Sequence, residues 1–227
     1  MDVFSTTMSK RKITKDVALD YMAEIERPRS VKEIQAFLNA VEAAERYPLD
    51  RMVQEKFCFA MAYGSAKAAN LVLKAGGLQA LVHAMQQFPQ EQRMHAEACE
   101  ALRNLVELPD AADEVLTAGG LEAVLNSMRM NPEADWVQQE GCGLICRLVT
   151  ECDAGRDAVM KSPTSLELIL KTMEAYPRCG WIAMWGCQAM ERFAQVDAKR
   201  VDNMQGFKAV EEISGNKTFA KSVAAGH

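Results

Sequence analysis

Residues 75–85 read AGGLQALVHAM, and residues 118–128 read AGGLEAVLNSM. A phrase that returns 43 residues later points to one supersecondary unit used more than once, because a single core has no reason to repeat itself at fixed distance. Working outward, each copy is followed by a proline, Pro89 in QQFPQ and Pro132 in RMNPE. Pro48 in ERYPL and Pro177 in EAYPR extend the series at spacings of 41, 43 and 45. Cys58, Cys99, Cys142 and Cys187 keep the same beat, so two independent markers agree on the period.

Within each copy the apolar residues fall at i, i+3, i+4 and i+7, the stripe of an amphipathic helix. They are Leu78, Leu81, Val82 and Met85, then Leu121, Val124, Leu125 and Met128, then Leu166, Ile169, Leu170 and Met173. The third copy keeps the stripe although Thr164 and Ser165 replace its glycines. Phe37, Ala40, Val41 and Ala44 form an earlier, weaker one. Each helix stops at its proline, which cannot continue it. The cysteine-bearing segments VQEKFCFAMAY, MHAEACEALRNLV, VQQEGCGLICRLV and IAMWGCQAMERFA predict a second helix family. A shorter helix is expected between the two, opened by Asp110, Asp153 or Asp197, each followed by Ala, with the aspartate capping the first turn; Ser65-Ala66 holds the same place earlier. Gly76-Gly77 and Gly119-Gly120 then form the corner where the chain leaves the short helix through a left-handed turn.

Three helices at this period resemble the armadillo repeat, with its AGG corner, apolar LxxLVxxM-like helix, proline turn and VQExACxALxNL-like third helix. The resemblance spans about residues 30–213, best formed near 51–89, 90–132 and 133–177. It implies an all-α, right-handed α-α superhelix of about four to five armadillo-like repeats with capping helices. On this reading residues 1–12 are a flexible arm, and 13–227 form one solenoid with units near 13–50, 51–89, 90–132, 133–177 and 178–224. In such a stack each unit buries its face on its neighbours, and the terminal units need polar outer surfaces. ITKDVALDYMAEIERP and the segment from Val201 onward, with Glu211 and Ser214 in the apolar stripe, are read as caps.

Composition limits the function. The 227 residues carry 49% hydrophobic and 25% charged side chains, an ordinary soluble mixture. A formal charge of -5 lacks the positive field that nucleic acid requires. Seven cysteines without a compact even framework indicate reduced thiols and a cytoplasmic setting, with Lys10-Arg11-Lys12 as a weak nuclear address. No secretory leader and no membrane span are expected.

The repeats also act as a ruler, since a residue type that recurs in one slot is structural. The four cysteines are then small buried hydrophobes, and Met85, Met128 and Met173 fill the core. Cys142 and Cys146 lack the second pair that a zinc site needs. His83 falls in the slot of Asn126 and Lys171, and His95 in the slot of Gln54 and Gln138; neither has a catalytic partner. No phosphate loop, metalloprotease or hydrolase motif occurs, so no enzyme, no cofactor and no metal are expected.

The resemblance implies that the third helices line a concave groove that binds an extended peptide or partner helix. Counted from the cysteine, the slot five residues later reads Tyr63, Asn104, Arg147, Arg192; one later, Phe59, Glu100, Gly143, Gln188; two earlier, Lys56, Glu97, Glu140, Trp185. These slots vary between copies, as a surface fitted to one partner would. Asn104 matches the groove asparagine of the family. Arg147 and Arg192 depart from it and suit a carboxylate or phosphate, unless they pair with Glu140, Glu191 and their neighbours. Phe59, Tyr63 and Trp185 are candidate anchors. Trp136 and Trp181 read as wedges between units, and Gly143 as a point of close packing. Helices 8–10 Å apart meet about three residues of an extended ligand each, so four units read about a dozen. The expected function is a non-enzymatic protein-interaction module using Phe59, Tyr63, Glu100, Asn104, Arg147, Trp185 and Arg192. The competing expectation is a structural subunit fixed within a large assembly.

Overall fold

The computed structural model describes residues 15, 31–64, 66–108, 111–162 and 164–215. The expected N-terminal helix, the Lys10–Lys12 cluster, Ser65, the Asp110 cap and the chain from 216 onward lie outside the described residues. Among those described there are helices and turns, without strands. In chain order the helices are α1 (Val31–Arg46), α2 (Arg51–Ala62), α3 (Ala66–Lys74), α4 (Gly77–Gln87), α5 (Gln92–Leu105) and α6 (Ala111–Thr117). They continue as α7 (Gly120–Met130), α8 (Asp135–Glu151), α9 (Asp153–Lys161), α10 (Ser165–Ala175), α11 (Gly180–Asn203) and α12 (Gly206–Ser214).

The architecture is an all-α repeat solenoid of two main layers. The cysteine-bearing helices α2, α5, α8 and α11 pack side by side in the tightest seam of the molecule, while α1, α4, α7, α10 and α12 form the second layer. The short α3, α6 and α9 close one edge. The apolar stripes meet between the layers: Leu78, Leu81, Leu125, Met128, Ile169 and Met173 are all buried, as are Phe37, Ala40, Val41 and Ala44 of α1. This one continuous core runs the length of the stack. Burial of its apolar area drives folding, at roughly 25 cal/mol per Å².

At the corners, Gly76 and Gly119 sit at φ 85° and 80°, a left-handed conformation that costs an L-residue about 1–2 kcal/mol. The second glycine answers a different demand. A Cβ on Gly77 would fall on the Val72 side chain and 2.9 Å from its carbonyl oxygen, and one on Gly120 would meet Val115 in the same way. The last corner keeps the pattern as Gln205 (φ 59°) and Gly206. The third corner escapes it. Three residues, rather than two, link α9 to α10, and Thr164 makes the turn at φ -104°.

The slot four residues before Cys58, Cys99 and Cys142 is a polar staple, while Ala183 holds it before Cys187. Gln54 Nε2 donates to Ala44 O and Tyr47 O at 2.8 and 3.0 Å, and Gln138 Nε2 donates to Met128 O and Asn131 O at 2.8 and 2.9 Å. His95 Nε2 reaches Phe88 O at 3.0 Å. Each group satisfies carbonyls left open at the proline turn where the preceding helix ends.

The caps of the short helices differ in part from the sequence expectation. Asp197 interrupts α11 with φ -144° and ψ 74°, and its Oδ1 accepts from Arg200 N at 2.9 Å, starting a short helix as expected. Asp153, however, lies inside α9. Cys152 holds the cap position and its Sγ accepts from Gly155 N at 3.2 Å, while Asp153 pairs with Arg156.

Candidate functional site

Residues six before, two before, one after and five after the cysteine are spaced 4, 3 and 4 apart, so they share one helical face. On α2, α5, α8 and α11 that face points away from the second layer and forms a continuous wall. The first of these slots, Met52, Arg93, Trp136 and Trp181, is exposed in every copy. Trp136 and Trp181 are therefore wall residues and not wedges between units; Trp181 is 56% exposed. The repeat ruler carried this signal one turn beyond the three slots counted from the cysteine.

At the α2 end Phe59 and Tyr63 stack with centroids 4.7 Å apart and planes at 41°. Tyr63 is 48% exposed. Lys56 Nζ and the Arg93 guanidinium lie 6.0 and 5.8 Å from the Phe59 ring centre, within cation–π range. Arg93 Nε donates to Glu97 Oε1 at 2.9 Å. Glu97 is fully buried, not exposed as its slot implied, and its Oε2 has no hydrogen-bond partner. Glu100 is half-buried, and its Oε2 is likewise without one. Burial raises the pKa of both carboxyls, and Glu140 adds to the rise at Glu100. Burial, then Glu100 and Glu97, raise that of Tyr63.

The middle of the wall is already spanned by the chain itself. Arg103 Nε donates to Glu140 Oε2 at 2.7 Å, and its guanidinium lies 5.3 Å from the Trp185 ring centre. One arginine of α5 thus engages a carboxylate of α8 and an aromatic ring of α11. Gly143 makes this possible, since a Cβ there would stand 2.6 Å from Arg103 Cδ and 3.0 Å from the Trp185 ring; the close packing expected at Gly143 is present. Glu140 Oε1 accepts from Gln139 at 2.9 Å, so this buried carboxylate is satisfied. Asn104 donates to Ala62 O, the last carbonyl of α2, at 3.0 Å, which ties two neighbouring third helices together. Arg147 pairs with Glu107 at 2.5 Å and Glu151 at 3.3 Å, so both its Nη groups are engaged, though with other carboxylates than the sequence suggested.

At the far end Trp181 and Trp185 stack at 5.3 Å and 31°, Arg192 donates to Gln195 at 2.7 Å, and Cys146 Sγ reaches Gln188 at 3.5 Å. Of the sequence-predicted residues, Phe59, Glu100, Asn104, Arg147, Trp185 and Arg192 lie on the four third helices, and Tyr63 caps the C-terminal end of α2. Phe59, Tyr63 and Glu100 cluster at one end, and Trp185 and Arg192 sit at the other. Sequence reasoning passed over Arg103 and Arg93, whose reach depends on how successive units rotate.

Cys58, Cys99 and Cys142 are buried, and burial pushes the Cys142 thiol up to about 12. Cys187 is half-buried, because among the described residues no further third helix packs against α11. Among those residues no cluster of three His, Cys, Asp or Glu could hold a metal ion, and no helix is long and apolar enough to cross a membrane.

Two comparisons agree with this geometry. A model of the armadillo/beta-catenin-like repeat matches residues 65–107, the span from just before α3 to just after α5. The crystal structure of an engineered protein superposes with a TM-score of 0.70 at 18% identity, covering 96% of this chain and 90% of that one; at this identity it speaks for the fold alone. A search of curated proteins gave no match. The fold and its seam of third helices define an α-solenoid. More narrowly, the chain is an armadillo-like α-solenoid, with an armadillo repeat recognisable at residues 65–107.

Proposed function

We propose that this protein is a non-enzymatic interaction module, holding an extended peptide or a helix of a partner protein along the wall formed by α2, α5, α8 and α11. The observation that carries this reading is the aromatic content of the wall. Tyr63, Trp136 and Trp181 stay exposed in a molecule that buries the apolar stripe of every repeat, and exposed aromatic groups framed by polar ones are typical binding anchors. Armadillo repeats generally bind protein partners, which supports the same reading. Phe59, Tyr63 and Glu100 would contact one end of the ligand, and Trp185 and Arg192 the other. Arg147, already neutralised by two carboxylates, offers less to an acidic partner than its sequence slot implied. Asn104 acts mainly as a tie between units.

The test is capture of the partner from native extract by immobilised protein. Tyr63→Ala with Trp181→Ala is expected to abolish capture while the melting temperature stays within a few degrees, whereas Lys171→Ala on α10 leaves capture intact. Undiminished capture by the wall variant would rule the wall out.

A second reading, a fixed subunit of a larger assembly, rests on apolar residues left open at the proline turns, Leu49 at 74% and Met130 at 54% exposure. It requires a surface other than the wall and is supported if Leu49→Ser with Met130→Ser releases the partner instead. In either case the free thiols suit a reducing compartment such as the cytoplasm.

A further inference from the structure

We infer that the cavity enclosed by α1, α2, α3 and α5 is a binding site for a small uncharged molecule with a ring-shaped apolar body and a hydroxyl group, about the size of phenol. Of the residues assigned to the wall it includes Asn104, and it does not depend on the proposed use of the wall.

Protein interiors are packed as densely as organic crystals, so a cavity with room for several heavy atoms is a local exception. This one measures about 150 Å³, a volume at which an apolar cavity takes up benzene. Its lining comes from Phe37 of α1, Met61 of α2, Ala69 and Val72 of α3, and Ala101 and Leu105 of α5. The repeat register explains why it opens at this junction. Where α5 meets α8, the position six residues after the first cysteine and the position two after the second are Leu105 and Leu144; where α8 meets α11 they are Leu148 and Ala189, and all four are buried. Where α2 meets α5 they are Gly64 and Ala101, both small. The Phe37 ring takes part of the place a leucine would hold, since a Cβ on Gly64 would stand 2.9 Å from Phe37 Cε1. An aromatic ring as one side of the cavity suits a ring-shaped guest, which can pack on its face or edge.

The polar lining sets the chemistry at the opening. Glu107 borders the cavity with a side chain 48% exposed, and Arg147 holds its carboxylate at 2.5 Å. Asn104 borders it too and spends its amide on Ala62 O at 3.0 Å. A guest therefore meets a carboxylate acceptor at the opening, to which a hydroxyl can donate, whereas an anionic guest would be repelled. A charged group deeper in would lose its hydration among apolar side chains. Two other clefts, beside Pro132 and beside Pro177, are each lined by three charged residues, which suits water better than an apolar guest.

The experiment titrates phenol, benzene and benzoate into the full chain carrying ¹³C-methyl methionine and follows the methyl signals by NMR. Phenol is expected to shift the Met61 signal saturably, through its ring current, and to leave that of Met190, buried at the far end of the stack, in place. Benzene should bind more weakly and benzoate not at all. Ala101→Leu, which installs here the leucine that the next junction carries at position 144, should weaken phenol binding about tenfold or more. Ala69→Leu, filling the cavity from α3, should do the same, so that either variant serves if the other loses its helical circular dichroism. Ala198→Leu, exposed on α11, should leave binding unchanged. An unmoved Met61 signal, equal shifts at Met61 and Met190, benzene or benzoate bound as tightly as phenol, or undiminished binding in the folded cavity variants would each overturn the inference. If phenol does not bind but Ala101→Leu costs capture of the native partner, the cavity receives an apolar side chain of that partner: the small-molecule site falls and the wall stands. Phenol binding by a chain whose Tyr63→Ala with Trp181→Ala variant still captures its partner leaves the cavity standing and removes the wall.

Discussion

At single residues the repeat shows what each position is asked to do, because the same request is met several times. The corner before each long helix needs a residue at positive φ where two residues make the link, and the chain supplies Gly76, Gly119 and then Gln205. A glutamine held there bears a strain that glycine does not. Gln205→Gly is therefore expected to raise stability by about 0.5–1 kcal/mol, seen as a higher urea midpoint; no gain would mean that the corner is not strained. His95 offers a second case. Its ring sits in the glutamine staple slot, donating at Nε2 to Phe88 O and facing the Ser127 hydroxyl at Nδ1, and burial lowers its pKa below 6.5. The native state then binds fewer protons than the unfolded chain just below that pH, so stability falls as pH drops through the window from 6.5 toward the lowered native value. In His95→Gln the amide of the neighbouring repeats takes the slot without a titrating group. Urea midpoints between pH 7.5 and 5 should fall more steeply for the wild type than for the variant, and parallel curves would show that His95 does not titrate in this way.

At the level of helices, much was legible beforehand and the reason is periodicity. The stripes of α4, α7 and α10 repeat at 3.6 residues, so Leu78, Leu121 and Leu166 could each be assigned to the core from their spacing alone, and each is buried. The doubled glycines marked the corners because few other residues fit there. What escaped was set by contacts between units. Trp136 and Trp181 resembled wedges because bulky aromatic side chains are commonly buried, yet their register on α8 and α11 places them outward. Cys152 displaced Asp153 as a cap by one position, a shift no propensity resolves. The reach of Arg103 over Gly143 to Trp185 depends on the rotation between successive third helices, which no single repeat encodes. This contact has a measurable worth. Arg103→Ala leaves the buried Glu140 without its charge partner and is expected to destabilise by about 3 kcal/mol. Adding Glu140→Ala should recover part of that loss, a non-additivity that a double-mutant cycle in urea reads directly. Additive losses would show that the pair does not couple the two units.

Across the whole molecule, stability comes from neighbour-on-neighbour burial, and the wall is the surface this arrangement leaves over. One layer of helices is consumed by the core, the short helices close an edge, and α2, α5, α8 and α11 turn a face of aromatic and charged residues outward. The ends of that face differ. Near α2 and α5 it is aromatic and carries unanswered carboxylates, in the middle it is closed by Arg103 and Glu140, and near α11 it presents two stacked tryptophans. A ligand lying along it would meet Tyr63 with the exposed Lys56 and Arg93 at one end and the two tryptophans at the other, which gives the wall a direction. The most direct test of this account is hydrogen–deuterium exchange of the full chain with and without its captured partner. Slowed exchange is predicted in α2, α5, α8 and α11, with α4, α7 and α10 unchanged; protection confined to α4, α7 and α10, or to the proline turns at Leu49 and Met130, would contradict it.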